Sequence, residues 1–131
     1  MTNGFFIEAG AHDGEDYSNS LLFEMKRNWT GILIEADPFV FQKMQSRNRR
    51  AFVVNAGLAI VTYSTQVTFL SSGLVGGISD LPVNDNIQRL RDEGIRTHYP
   101  MYNITVQCFP LFSILLALGK IKTWFTMLFH E

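Results

Sequence analysis

Hydrophobic positions near the start of the chain fall in short runs separated by glycine turns and amphipathic stretches. Phe5 to Ala9 is an apolar run that carries Glu8 near its end, and Ile32 to Glu35 repeats the pattern with Glu35 as its last residue. Runs this short and apolar read as strands buried on both faces of a parallel sheet. Between them, Ser18 is a helix N-cap. The helix it starts runs to about Lys26, with Leu21, Leu22 and Met25 on the inner face, until Asn28-Trp29-Thr30-Gly31 breaks it. Asp37-Pro38 starts a second helix, Asp as cap and Pro at the first helical position. Phe41 and Met44 point inward from it, and it ends at Arg47-Asn48-Arg49-Arg50. Ala51 to Asn55 is a third strand. Strand, helix, strand, helix and strand in close succession predict an α/β fold with a mostly parallel sheet and right-handed crossovers.

The remainder is less regular. Gln66 to Leu70 alternates like a strand with one wet face, and Gly73 to Gly77 is a turning loop. Asn84 to Glu93 reads as a polar surface helix stopped by Gly94, and Ile104 to Cys108 as a further strand. Pro110 opens a helix that runs to about Leu118 and ends at Gly119, and Thr123 to Phe129 is a last strand. The stretch from Phe109 to Phe129 is very apolar, but Pro110, Gly119, Lys120 and Lys122 interrupt it. Its unbroken part falls short of the roughly 20 residues of a membrane span, so no span is expected.

Composition narrows the function classes. The 131 residues form a single domain, 47% hydrophobic and 18% charged. A net charge of -1 gives no basic footprint for nucleic acid. Cys108 is the only cysteine, which excludes an internal disulfide. It fits a reducing compartment and a buried, inert thiol. The N-terminus shows no signal-peptide pattern, and these features together read as cytoplasmic.

The candidate chemistry lies at the ends of the first two strands. Two acids on neighbouring parallel strands, with a glycine turn between, suit a nucleoside pocket. The spacing Glu8-x-Gly10-x-x-x-Gly14 differs from the dinucleotide fingerprint, and the turn carries Asp13, Glu15 and Asp16. That negative charge repels a pyrophosphate and favours a ligand with a cationic centre, such as S-adenosylmethionine, over NAD. Glu35 is placed to grip the ribose hydroxyls, Phe39 to border the adenine, and Asn55 or a nearby amide to read the adenine edge. His12 is either a base or, as the plainer reading has it, a turn residue tolerant of unusual backbone angles. His98 reads as a surface residue and Trp29 and Trp124 as packing residues. Arg47, Arg49 and Arg50 read as a solvated helix end. Asp13, Glu15 and Asp16 are a weak metal signal.

Phe5-Phe-Ile-Glu-Ala-Gly-Ala-His-Asp-Gly14, Ser18-Asn-Ser20, Trp29-Thr-Gly-Ile-Leu-Ile-Glu-Ala-Asp-Pro38 and Asn48-Arg49 together resemble the FkbM-type methyltransferase domain, in particular its arthropod Star-like subgroup. The likeness is dense from Phe5 to about Asn55 and looser through Val67 to Asp80 and Thr105 to Gly119. It implies a Rossmann-like three-layer sandwich that binds S-adenosylmethionine, with Glu8, Gly10 and Gly14 on the methionine side and Glu35 on the ribose. Ala11, His12, Ala36 and Asn55 are the further cofactor-binding candidates. The implied reaction is methylation of an oxygen on a small molecule or glycan. For the Star-like subgroup the resemblance implies a catalytically inactive module instead, acting through protein contacts in secretory-pathway trafficking of growth-factor ligands. Gly73 to Asp80 and the apolar C-terminus would be its contact surfaces. After about residue 120 the pattern departs. The family's Asp-x-Glu-Gly strand end is missing, and Ile121 to Glu131 stands in its place. The domain thus reads as incomplete or altered there, from a truncated or alternatively spliced product. A third expectation is a fragment whose sheet cannot close its core.

Overall fold

The computed structural model describes residues 1–73, 76–79, 89, 91–92, 95–96 and 100–120. The chain is built as β1 (Phe5–Ala9), α1 (Leu21–Arg27), β2 (Thr30–Glu35), α2 (Pro38–Ser46), β3 (Phe52–Asn55) and β4 (Gly57–Leu58). It continues as β5 (Thr65–Ser71), β6 (Gly77–Ile78), β7 (Tyr102–Phe109) and α3 (Leu111–Ala117). The early strand and helix order is the expected one. β4 and β6 were not expected, and β7 begins two residues before Ile104. Arg89, Arg91, Asp92, Ile95 and Arg96 are helical, whereas most of the expected surface helix and the expected strand at Thr123 to Phe129 lie outside the described residues.

Two sheets result. In the first, β1, β2 and β3 lie side by side and all parallel, with Ile7 opposite Ile32 and Ile34 opposite Val54. The second is mixed and ordered β4, β7, β5, β6. β7 runs parallel to β4 and antiparallel to β5, which also pairs antiparallel with β6. The sheets meet where β3 passes into β4. Ala56 donates its N–H to the Glu35 carbonyl at 3.1 Å, and the next residue, Gly57, pairs with Cys108 of β7.

Strand alternation decides which helix covers which face of the parallel sheet. Phe5, Ile32 and Ile34 project to one side and pack under Ile114 and Leu115 of α3. Phe6 and Leu33 project to the other and pack with Ala11, Ala51 and Met44 of α2. A third cluster of Phe69, Val106 and Cys108 knits the second sheet. Cys108 is 1% exposed, and burial pushes its thiol pKa up against a weaker opposing hydrogen bond at Gly57. A side chain at Gly57 would meet the Cys108 Sγ at 2.5 Å, so any larger residue there would have to displace the buried thiol.

Asp37 caps α2 as expected, its Oδ1 accepting from the N–H of Phe39 at 2.9 Å and of Val40 at 3.4 Å, with Pro38 at the first helical position. α1 departs from expectation. It starts at Leu21, and Ser20 at its N-cap makes no side-chain cap bond. Its buried residue is Glu24, while Leu22 is 64% and Met25 68% exposed. Helical spacing alone chose the wrong face, because the inward side of this short helix meets an arginine rather than the apolar core.

Candidate functional site

A cavity of about 370 Å³ opens beyond the C-terminal ends of β1 and β2. This is where ligands bind in open parallel sheets. The turn after β1 supplies Ala9, Gly10, Ala11 and His12, and the end of β2 supplies Glu35, Ala36 and Asp37. Ala56 to Leu58 form another wall, Phe69 and Val106 the floor toward the second sheet, and Gly73, Gly76 and Ile78 the far side. Asp16 and Tyr17 complete the rim.

Glu35 organises this space. Its Oε2 accepts the His12 N–H at 2.8 Å and its Oε1 the Asp37 N–H at 2.8 Å. The carboxylate therefore ties the β1 turn to the start of α2. Burial raises its pKa above the usual 4.5. The nearby Asp37 charge pushes the same way, and the two backbone donors oppose it. An ionised carboxylate offers about four lone-pair positions, of which these two backbone bonds use two. Asp37 is spoken for: besides capping α2, its Oδ2 accepts from the Ser71 hydroxyl at 2.5 Å, which locks β5 onto α2.

The turn is held in a shape that few residues adopt. Gly10 has φ +69° and Gly14 φ +80°, and His12 and Tyr17 also have positive φ, 52° and 64°. Asp13 is the clamp. Its Oδ1 accepts from the N–H of Glu15 at 3.0 Å and Asp16 at 2.8 Å, and its Oδ2 pairs with Arg47 at 2.5 Å. Burial would raise the Asp13 pKa, but those donors and the Arg47 charge outweigh it and hold the carboxyl at about 2.

Of the residues singled out from sequence, Gly10, Ala11, His12, Glu35 and Ala36 line the cavity together. Glu8, Gly14 and Asn55 do not. Glu8 turns toward the following segment and accepts from the Ser18 hydroxyl at 2.9 Å, the Asn19 N–H at 2.9 Å and the Ser20 hydroxyl. It lines a separate groove with Asn19, Phe23 and Trp29. Gly14 backs onto Met44. The Asn55 amide donates to the carbonyls of Glu35 at 2.8 Å and Ala36 at 3.3 Å, splicing β3 to the end of β2. Phe39 lies outside the cavity lining, its ring 6.2 Å from that of Tyr102.

Of the three arginines read as solvated, Arg47 and Arg50 are exposed and Arg49 is not. Arg49 was expected to be solvated, yet its side chain is 2% exposed. It donates to Glu24 at 3.0 Å, to the Ser18 and Ser20 hydroxyls at 3.3 and 3.1 Å, and to the Gly14 carbonyl. Arg50 donates its backbone N–H to Glu24 at 2.8 Å and a guanidinium N–H to Asn28 at 3.0 Å. Arg47 binds Asp13 and, at 3.1 Å, Glu15.

Chemically, the described lining presents three acids, Asp16, Glu35 and Asp37, and no lysine or arginine. Such a wall disfavours phosphates and suits hydroxyls and cationic groups. No helix among the described residues is long and apolar enough to cross a membrane. Set beside protein-family models, curated proteins and solved structures, the chain matches none of them.

Proposed function

We propose that this chain is a nucleoside-binding domain of the FkbM methyltransferase type, Rossmann-like in its parallel half, whose cavity takes S-adenosylmethionine. The observation that carries the reading is Glu35, a buried carboxylate at the mouth of an acid-lined cavity, steadied from both sides by the N–H groups of His12 and Asp37. The fit rests on the same site. Ribose hydroxyls would donate to the lone-pair positions of Glu35 that the two backbone bonds do not use. The left-handed turn at Gly10 leaves open space where a side chain would stand. The lining also lacks the fixed cations that a pyrophosphate would need.

When bound, S-adenosylmethionine supplies a methyl group activated by its sulfonium. The chain's own part is to bind and orient. Glu35 and Ala36 hold the sugar, the turn from Gly10 to His12 backs the amino-acid end, and Phe69 and Val106 keep the floor dry. Orientation of this kind can supply a large part of the rate gain in transfer between two bound reactants. The methyl acceptor is an oxygen of a small molecule or glycan.

Calorimetric titration tests the reading. We expect micromolar affinity for S-adenosylmethionine, weakened roughly tenfold or more, about 1.4 kcal/mol, by Glu35→Ala. A folded chain that takes up no heat with this ligand overturns the proposal.

A second reading has its own observation. Leu22, Phe23 and Met25 of α1 stand exposed on one short helix. This exposed apolar face favours a non-catalytic Star-like module that works through protein contacts in secretory trafficking.

A further inference from the structure

We infer that Asn103 is an acceptor for an N-linked glycan, so that the chain is one that passes through the lumen of the secretory pathway. The inference goes beyond both readings of the cavity and depends on no ligand there.

The acceptor pattern is an asparagine followed two residues on by a serine or threonine, with no proline between. It occurs at two places, Asn28-Trp29-Thr30 and Asn103-Ile104-Thr105. A pattern this short arises readily by chance, so the surroundings decide which match can carry a sugar. Asn103 and Thr105 lie in β7, opposite Leu70 and Thr68 of β5. Residues two apart on a strand share a face. Ile104, Val106 and Cys108 turn inward to the cluster of the second sheet, and Val106 reaches the cavity floor. Asn103 and Thr105 therefore turn the other way, and both are exposed. No hydrogen bond among the described residues holds the Asn103 amide. A sugar on its Nδ2 breaks no such bond and leaves the cavity open on the opposite side of the sheet.

Asn28 is the internal control. It too is exposed, but its amide is already engaged at both ends. Its Nδ2 donates to Asn3 Oδ1 at 2.7 Å, and its Oδ1 accepts from Arg50 at 3.0 Å. Its backbone is left-handed, with φ 55°. Trp29 in the middle position is stacked on Phe23 with ring centroids 4.9 Å apart, and Thr30 is the half-buried first residue of β2. A glycan at Asn28 would disturb the bonds that tie the N-terminal segment and Arg50 to the end of α1. One of the two matches thus tolerates the modification and the other resists it.

The donor is a lipid-linked oligosaccharide pyrophosphate, brought by the transferase of the lumen. Nδ2 of Asn103 forms a bond to the anomeric carbon, and the bond from that carbon to the phosphate oxygen breaks. The lipid pyrophosphate leaves with the electron pair, and one amide proton passes to a base of the transferase. Cys108 does not stand against an oxidising compartment, because at 1% exposure it offers no accessible thiol for disulfide exchange.

The test takes the native protein from its own cells, treats it with a peptide N-glycosidase in heavy-oxygen water and maps it by mass spectrometry. Position 103 should be recovered as heavy-oxygen aspartate, and Asn28 as unmodified asparagine. In eukaryotic cells, the full chain delivered to the lumen by a cleavable leader should run with the shift of a single glycan, lost on glycosidase treatment. Asn103→Gln and Thr105→Ala should each abolish the shift, Thr105→Ser should keep it, and Asn28→Gln should leave it unchanged. A denaturing gel reads the glycan whether or not a variant folds. An unmodified position 103 in the native protein, or a glycan on Asn28 in its place, overturns the inference and leaves the readings of the cavity standing.

Discussion

Asp13 shows how a single carboxylate shapes the cavity without touching it. Its pKa of about 2 lies well below the ordinary 3.8. A depressed carboxylate contributes stability that is fully present above the unfolded value and is lost as pH falls through 3.8 toward 2. The shift corresponds to about 2 kcal/mol. Asp13→Asn should therefore lower the urea-unfolding free energy by about that much at pH 7, and the gap should close as the two proteins are titrated toward pH 2. Glu35 runs the other way. Its raised pKa means that ionisation, as pH climbs through the shifted value, is the destabilising event. The two acids thus respond oppositely to pH: Asp13, clamped by donors, stabilises the fold when ionised, and Glu35, buried, resists ionisation. Sequence spacing located Glu35, Gly10 and His12 correctly at one strand-end cavity, because strand ends and glycine turns are local features. It misread Glu8, whose side chain is claimed by Ser18, Asn19 and Ser20 ten or more residues on. Such a claim depends on how the chain returns, and no periodicity records it.

At the scale of elements, the instructive pair is α1 and the segment that follows α2. α1 is a seven-residue helix, too short to be stable by propensity alone. What fixes it is Arg49, reaching across from beyond α2 to Glu24 and to the hydroxyls and carbonyl just before the helix. Breaking a buried, hydrogen-bonded charge pair from one side is costly, because the partner stays desolvated. Arg49→Ala should destabilise the fold by about 3–5 kcal/mol in chemical denaturation. Arg49→Lys should recover only part of this, since an ammonium lacks the planar fork that serves four acceptors at once. The arginine run looked like a helix end bathed in water because helix-dipole reasoning sees only its own helix. Its partners lie 25 to 35 residues earlier in the chain. α2, by contrast, was fully legible. Its cap, its proline and its inward Met44 are all set by neighbours within one turn.

Across the whole molecule, the parallel half was readable and the mixed half was not. Three apolar strands joined by short helical crossovers must run parallel, and β1, β2 and β3 do. The second sheet is built from long-range antiparallel pairing of β5 with β7, from Ser71 opposite Tyr102 to Thr65 opposite Cys108, and from the two-residue strands β4 and β6. Alternation could flag β5 and β7 as strands but not as partners. Their union supplies Phe69 and Val106 to the cavity floor, so half of the candidate site was invisible until the sheets were joined. That junction also carries a built-in reporter. Cys108, the only thiol in the chain, is sealed against Gly57 at the same place, and its burial keeps it protonated and unreactive. A thiol-selective dye added to the native protein should label it only during moments when the two sheets part. The labelling rate then becomes a clock for the breathing of the cavity floor, and a ligand seated there should slow the clock in proportion to its occupancy.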